Sequence, residues 1–330
     1  MDIIRIKTKK NPIYKHIKNG NILKNKKMLS HIKSLRIPPA YNHVLINSDI
    51  NAKVFAISTD NKNRKQYTYN PEYIEEQKEI KFCDLIYFGR KIKRIRKDIL
   101  NHLSQDDRIP SKETVISLIL FIVDKCNFRI GNEKYKHLYD TYGVSTLNCN
   151  HVKINENKIT ISFVGKKSVF NKGQITHPLA LKQFKKLHAL YNSFDYLFYY
   201  KDEKTGVIYR ITEKHVNQFL KKYNPRLIVK MYRTWSANQM VLAELINTPT
   251  DLNKKELKKT FDSIIKNVAK KMHHTTNVSK KNYVNNELID FYINDNKTFF
   301  KFIDSLKKNS GQLPTIDKIL NNFLKRICNR

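Results

Sequence analysis

A chain of 330 residues with 40% hydrophobic and 11% aromatic side chains can bury a sizeable core and leaves room for roughly two domains. Its 63 Lys and Arg against 29 Asp and Glu give a formal net charge of +34. This composition excludes a disordered basic tail, and so much self-repelling charge calls for a polyanion, nucleic acid before an anionic membrane surface.

The first twenty residues hold no continuous apolar stretch of the kind a secretory signal needs. The longest mainly apolar run, 115–123, is about half the ~20 residues of a membrane span. A soluble, intracellular protein is expected. Cys83, Cys126, Cys149 and Cys328 are scattered, with no CxxC pair or Cys/His spacing, so no metal is expected and the thiols are expected to be free and mostly buried.

Short strands are predicted at 44–46, 52–57 and 66–69, broken by Asn/Asp turn clusters such as 60–63. The polar stretch Glu75-Glu76-Gln77-Lys78-Glu79 reads as a linker. It divides the chain into a small β-rich N-terminal domain, 1–78, and a larger, mainly helical domain, 79–330. The second opens with a long basic helix over 82–103. Ser111 then supplies an N-cap, and Val115, Leu118, Ile119 and Ile122 fall at i, i+3, i+4 and i+7. That helix should end near Asn127, since Gly131 follows closely. The stretch 152–170 reads as strands, in which Ile159, Ile161 and Phe163 alternate with Thr160, Ser162 and Val164. Gly165-Lys166-Lys167 supplies a turn. Helices are predicted around 178–192, 213–222, 233–246, 254–272, 278–293 and 298–307. The last stretch, 307–330, with Leu313, Ile316, Ile319, Leu320 and Phe323 as apolar positions, reads as a small closing helix with no assigned function. The fold class is α+β.

Five side chains stand out, each with an ordinary structural explanation. Arg129, just past a buried helix, suits a helix C-terminus. Lys166 in a turn is ordinarily only solvated, yet a turn between two strands is a rigid way to push an ammonium group into a substrate. Arg233 opens a helix, where a cation opposes the helix dipole unless an anion is present. His274 follows His273 at the end of a helix that it could simply cap. Tyr283 falls in the predicted 278–293 helix, beside the apolar stripe of Val284, Leu288 and Phe291 and on a more polar face with Glu287 and Asp290. The set says more than its members. In-line attack of a phenol on a phosphodiester needs Arg and His donors for the nonbridging oxygens and Lys to protonate the departing 5′ oxygen. It also needs a tyrosine that can hold the phosphate covalently.

The residues around this set, Phe128-Arg129-Ile130-Gly131-Asn132, Phe163-Val164-Gly165-Lys166, Lys230-Met231-Tyr232-Arg233-Thr234-Trp235-Ser236-Ala237-Asn238 and His274-Thr275 with Tyr283 nine residues after that His, carry a resemblance. Ile37-Pro38-Pro39-Ala40-Tyr41 and Arg64-Lys65-Gln66-Tyr67-Thr68-Tyr69 extend it into the N-terminal part. In order, spacing and residue type the sequence resembles the type IB DNA topoisomerases of poxviruses and other large DNA viruses over most of its length.

The resemblance implies a β-rich DNA-clamping domain followed by a catalytic domain of the tyrosine recombinase and topoisomerase IB type. It implies relaxation of supercoiled duplex DNA through a 3′-phosphotyrosyl intermediate, strand rotation and religation, without ATP, metal or other cofactor. Tyr283 would attack the phosphate, and Arg129 and Arg233 would clamp its oxygens. Lys166, helped by Arg129, would protonate the leaving 5′-hydroxyl, and His274 would hydrogen-bond a nonbridging oxygen. Lys65, Gln66, Tyr67, Tyr69 and Tyr135 correspond to DNA-facing positions, although ordinary strand packing explains Tyr67 and Tyr69 when the resemblance is set aside. Lys230 and Asn238 match accessory positions and are grouped with the DNA-binding residues. A monomer clamping duplex DNA is implied, not a membrane protein and, if viral, acting in the virion or at a cytoplasmic replication site.

Two rival readings remain. A tyrosine recombinase shares the catalytic domain but usually carries His three residues before the second arginine, where this chain has Lys230, and a helical N-terminal module. A noncatalytic DNA-binding or packaging protein matches the charge but leaves the ordered Arg–Lys–Arg–His–Tyr series unexplained. By spacing alone Lys167 competes with Lys166, and His273 with His274; the Val-Gly-Lys and His-Thr contexts favour Lys166 and His274.

Overall fold

Five antiparallel strands, one helix and the start of a second make up the first of two units, Met1–Lys81, in a computed structural model that describes residues 1–8, 11–308 and 314–328. The strands β1 (Ile3–Ile6), β2 (Ile13–His16), β3 (Asn42–Ile46), β4 (Val54–Thr59) and β5 (Lys65–Tyr69) lie in the order β2-β1-β3-β4-β5. Helix α1 (Lys26–Ser34) starts at Asn25, whose side chain accepts the Met28 N–H, and buries Ile32 against Ile3, Leu23, Val44, Ile46 and Ala56. The expected strands correspond to β3, β4 and β5. The sequence reading had no counterpart for β1, β2 or α1. These elements are short, and α1 buries only Ile32, so none carries a full period of apolar residues.

The expected linker is helical. Helix α2 (Pro71–Ser104) runs straight through Glu75–Glu79. Its start is well specified: the Asn70 side chain accepts the Glu72 N–H at 2.9 Å, and Pro71 takes the first helical position. Glu, Gln and Lys are good helix formers, and Lys78 pairs with Glu75 at 2.7 Å. Polarity marked solvent exposure here, not a break in the backbone.

The second unit, Phe82–Arg330, is mostly helical. The buried face of α2, from Phe82 through Ile92 to Leu103, packs with α3 (Lys112–Cys126) in one core. Ser111 caps α3 by accepting the Thr114 N–H, and left-handed Asn127 ends it. Next come α4 (Glu133–Tyr139) and an antiparallel sheet of β6 (Val152–Ile154), β7 (Ile159–Gly165) and β8 (Val169–Ile175). After α5 (Pro178–Tyr191), strands β9 (Tyr199–Lys201) and β10 (Ile208–Arg210) form a short hairpin that was not expected. The chain continues through α6 (Glu213–Lys221), α7 (Lys230–Leu245), α8 (Lys254–Lys271), α9 (Thr276–Asn282), α10 (Asn286–Asn294), α11 (Asn296–Lys308) and α12 (Ile316–Cys328).

Three further expectations change. Helix α7 begins at Lys230, so Arg233 lies within its first turn. The single helix expected over 278–293 is two helices, and Tyr283 occupies the break between them. Cys83 and Cys328 are not free thiols but form a disulfide with Cα atoms 5.7 Å apart, while Cys126 and Cys149 are free. The closing helix is α12, fixed on α7 through Asp317, which accepts from Trp235 Nε1 at 2.7 Å, from Gln239 Nε2 and from Arg96 Nη1. Leu313 lies outside the described residues. Among those residues, no helix is long and apolar enough to cross a membrane.

Candidate active site

The second unit converges on Tyr283 from four places in the chain. The first is the end of α3. Asn127 turns the backbone, and Phe128 anchors it in the core edge-on to Phe163, with ring centroids 5.0 Å apart. Arg129 follows, and its carbonyl accepts the Val144 N–H at 2.9 Å. The two backbones touch here: a Cβ on Gly143 would lie 2.4 Å from Gly131 Cα, and Gly131 itself has φ +93°. Only glycine fits both places, so the Arg129 loop is held main chain to main chain.

The second is the tip of the β7–β8 hairpin. Gly165 pairs with Val169, and Lys166, Lys167 and Ser168 make the turn, with Lys167 and Ser168 left-handed. Lys166 Nζ lies 5.7 Å from the Tyr135 ring centre. Partial burial, then Arg129, pulls the Lys166 ammonium below its ordinary range, while Tyr283 acts in the opposite direction. Lys166 thus shares a field with Arg129 and Tyr283.

The third is α7. Arg233 is 3% exposed, and its Nη2 donates to the Met272 carbonyl at 2.9 Å. Its guanidinium carbon lies 5.3 Å from the Tyr283 ring centre. Its Nε and Nη1 are buried with no hydrogen-bond partner among the described residues. Burial is the main cause that lowers Arg233 to about 10, with Arg129 adding to it and Tyr283 opposing it. A buried guanidinium with two idle donors is costly unless an anion completes it.

The fourth is the segment after α8. The His274 ring stacks on Tyr283, with centroids 4.7 Å apart and planes at 16°. A 2.8 Å hydrogen bond joins its Nδ1 to Ser279 Oγ, and its buried Nε2 has no partner among the described residues. Burial, then Arg233 and Arg129, pushes His274 down to about 3, so the ring is neutral near pH 7. If the Ser279 hydroxyl donates to Nδ1, the proton sits on Nε2 and that idle atom is a donor.

Tyr283 is 8% exposed, and its N–H donates to the Ser279 carbonyl. Burial alone would raise its phenol. Arg233 first, then Arg129 and Lys230, outweigh burial and leave it below the ordinary tyrosine value. Among the described residues, no ion pair involves Arg129, Lys166, Lys230 or Arg233. These cations therefore surround one phenol without a carboxylate to neutralise them. That arrangement can receive a phosphate and stabilise charge developing on it.

The remaining expected positions separate. Lys230 is exposed at the start of α7. Asn238 is buried inside the second unit: it is 1% exposed, its Nδ2 donates to the Tyr283 carbonyl at 2.8 Å, and its Oδ1 accepts the Asn285 N–H at 2.9 Å. Its amide is used up in holding the break that presents Tyr283. Tyr135 is exposed on α4 and stacks on Tyr139. In the first unit, Lys65, Tyr67 and Tyr69 alternate onto the exposed face of edge strand β5. Tyr67 and Tyr69 are 47% and 40% exposed and stack on each other at 6.0 Å, so they are not packed into a core. Gln66 points the other way, and its amide donates to Asp60 Oδ2 at 2.8 Å. Sequence reasoning passed over Ser279. Its signal was the spacing, four residues before Tyr283 and five after His274, and it is a buried residue of the intervening helix α9.

Residues 62–309 match the family described as eukaryotic DNA topoisomerase I, catalytic core, and residues 14–60 match bacterial DNA topoisomerase IB, N-terminal domain. The chain is 31% identical over 324 residues to DNA topoisomerase 1B of Acanthamoeba polyphaga mimivirus, which covers 96% of this chain and 93% of that relative. It is 26% identical to DNA topoisomerase 1 of Rabbit fibroma virus (strain Kasza), over 87% of this chain and 84% of the relative. It is 22% identical to DNA topoisomerase 1B of Vaccinia virus (strain Copenhagen), over 85% and 84%.

Proposed function

The chain belongs to the type IB DNA topoisomerase family, and we propose that it relaxes supercoiled duplex DNA by opening one strand through Tyr283. One observation carries the residue assignment: Arg233 and His274, which pack against the buried Tyr283 ring, keep buried nitrogens that have no partner among the described residues.

The Tyr283 phenol loses its proton to solvent, which its neighbouring cations favour, and its oxygen attacks phosphorus in line with the departing 5′ oxygen. A P–O bond to tyrosine forms as the P–O5′ bond breaks. Arg233 Nε and Nη1 and His274 Nε2 take the nonbridging oxygens, with Arg129 beside them, so charge developing on phosphate meets fixed donors. Lys166 delivers the proton to the 5′ oxygen. The phosphate stays on Tyr283 at the 3′ end while the free 5′ strand rotates, and the reverse transfer closes the nick. One phosphoester replaces another, so the bond energy is kept and no ATP is needed. The resident cations supply the charge stabilisation that a metal would otherwise give.

All five groups come from one chain, which supports action as a monomer. Exposed Lys65, Tyr67, Tyr69 and Tyr135 suit contacts with phosphates, sugars and base edges. The three relatives named above are viral, which supports a viral origin and action in the virion or at a cytoplasmic replication site.

Trapping tests the chemistry. A duplex cut short beyond the cleavage point should leave a covalent adduct at Tyr283, with DNA joined through its 3′ phosphate and a free 5′-hydroxyl on the released fragment. An adduct at another residue, or through a 5′ phosphate, would overturn the assignment.

A further inference from the structure

Helix α8 ends in a turn that ordinarily calls for glycine. The His273 N–H donates to the Lys270 carbonyl and the His274 N–H to the Ala269 carbonyl, which is the Schellman pattern, with His273 at the left-handed position. Its φ is +54°, a conformation that L residues other than Asn and Asp adopt at a cost. The side chain that occupies this place spans to another element. Its ring packs on Phe128 with centroids 5.3 Å apart and lies beside the backbone of Cys126. Cys126 is the last residue of α3, and Phe128 directly precedes Arg129.

The same corner receives the Lys166 hairpin. A Cβ on Gly173 of β8 would lie 2.8 Å from both Cys126 Sγ and Phe128 Cζ, and Phe163 of β7 packs on the Phe128 ring. On either side of His273, the Met272 carbonyl takes Arg233 Nη2, and His274 stacks on Tyr283. Residues 272–274 therefore touch Arg233, Tyr283 and the Phe128 corner that precedes Arg129, and reach the Lys166 hairpin through Phe128. We propose that His273 is a positioning residue whose ring ties the α3 corner bearing Arg129 to the α8 end bearing His274, so that the donors are registered on one phosphate. This inference rests on the proposed function of the same site.

Replacing His273 by glycine separates ring from turn, because glycine is at ease in the left-handed conformation. In single-turnover cleavage at saturating DNA, His273→Gly should be about tenfold slower or more, since small displacements of catalytic groups are costly. Its melting temperature and DNA affinity should stay close to those of the unsubstituted protein. His273→Asn, which tolerates the turn and keeps a side-chain N–H, should recover part of the rate. A glycine variant that cleaves at the unsubstituted rate, a loss of rate explained by weaker DNA binding, or an asparagine variant no faster than glycine would overturn the proposal. Tyr283→Phe run in parallel distinguishes the failures: if it still cleaves, the assignment of the site itself fails, whatever His273 does.

Discussion

In the cleavage proposed above, Tyr283 and Lys166 need opposite protonation states, and the same cations act on both. Burial raises the Tyr283 phenol, but Arg233, Arg129 and Lys230 bring it below its ordinary value. Burial, Arg129, Lys167 and Lys230 lower the Lys166 ammonium. Cleavage should therefore follow a bell-shaped pH profile, rising as the phenol ionises and falling as the ammonium deprotonates. Lys230 is exposed and lowers both groups, so Lys230→Ala should move both limbs to higher pH in a single-turnover rate profile. Movement of either limb downward would contradict this electrostatic picture. His274 carries a separate stability consequence. Its folded value, about 3, lies below the unfolded value near 6.5, so the unfolded chain binds the proton first. Stability should fall as pH drops below about 6.5 toward 3, measured as a declining denaturant midpoint. The His274→Gln variant should show a shallower decline over that window, the remainder coming from His151, His215 and His273, which are lowered as well; a decline as steep as in the unsubstituted protein would contradict the assignment.

At the scale of elements, the break between α9 and α10 is built by capping and by a clamp. Asn285 accepts the Glu287 N–H at 2.7 Å, and Asn238 of α7 bonds the main chain on both sides of Val284. Asn238→Ala removes the hydrogen bonds to the Tyr283 carbonyl and the Asn285 N–H, which should cost about 1–3 kcal/mol in chemical denaturation. A change below about 1 kcal/mol would show that the break holds itself. These contacts also explain what the sequence hid. The stretch 278–293 has no proline or glycine, so its periodicity reads as one helix, and its interruption depends on an asparagine some forty residues earlier. Helix α3 and the β7–β8 hairpin were legible because their apolar positions repeat cleanly and their caps are local. Glu75–Glu79 was misread because polarity was taken for a break in residues that favour helix. The disulfide was invisible because its partners are 245 residues apart and meet only after α12 has docked.

For the whole molecule, a net charge of +34 suits a polyanion such as duplex DNA, and the site accounts for a small part of it. Arg129, Lys166, Arg233, His274 and Tyr283 were legible as an ordered series. What no sequence pattern carried was how they are held: Ser279 on His274, Met272 on Arg233, and Asn238 behind Tyr283. If about six to ten phosphates are contacted, affinity for duplex DNA should fall about a thousandfold or more between roughly 50 and 200 mM salt. A flat salt profile in equilibrium binding would contradict an electrostatic grip. The most direct measurement is relaxation of supercoiled plasmid in EDTA without ATP, by the unsubstituted protein and by Tyr283→Phe. The unsubstituted protein should relax the plasmid, and Tyr283→Phe should bind it with similar affinity but leave it supercoiled. Relaxation by Tyr283→Phe at the unsubstituted rate would contradict the assignment of Tyr283 as nucleophile.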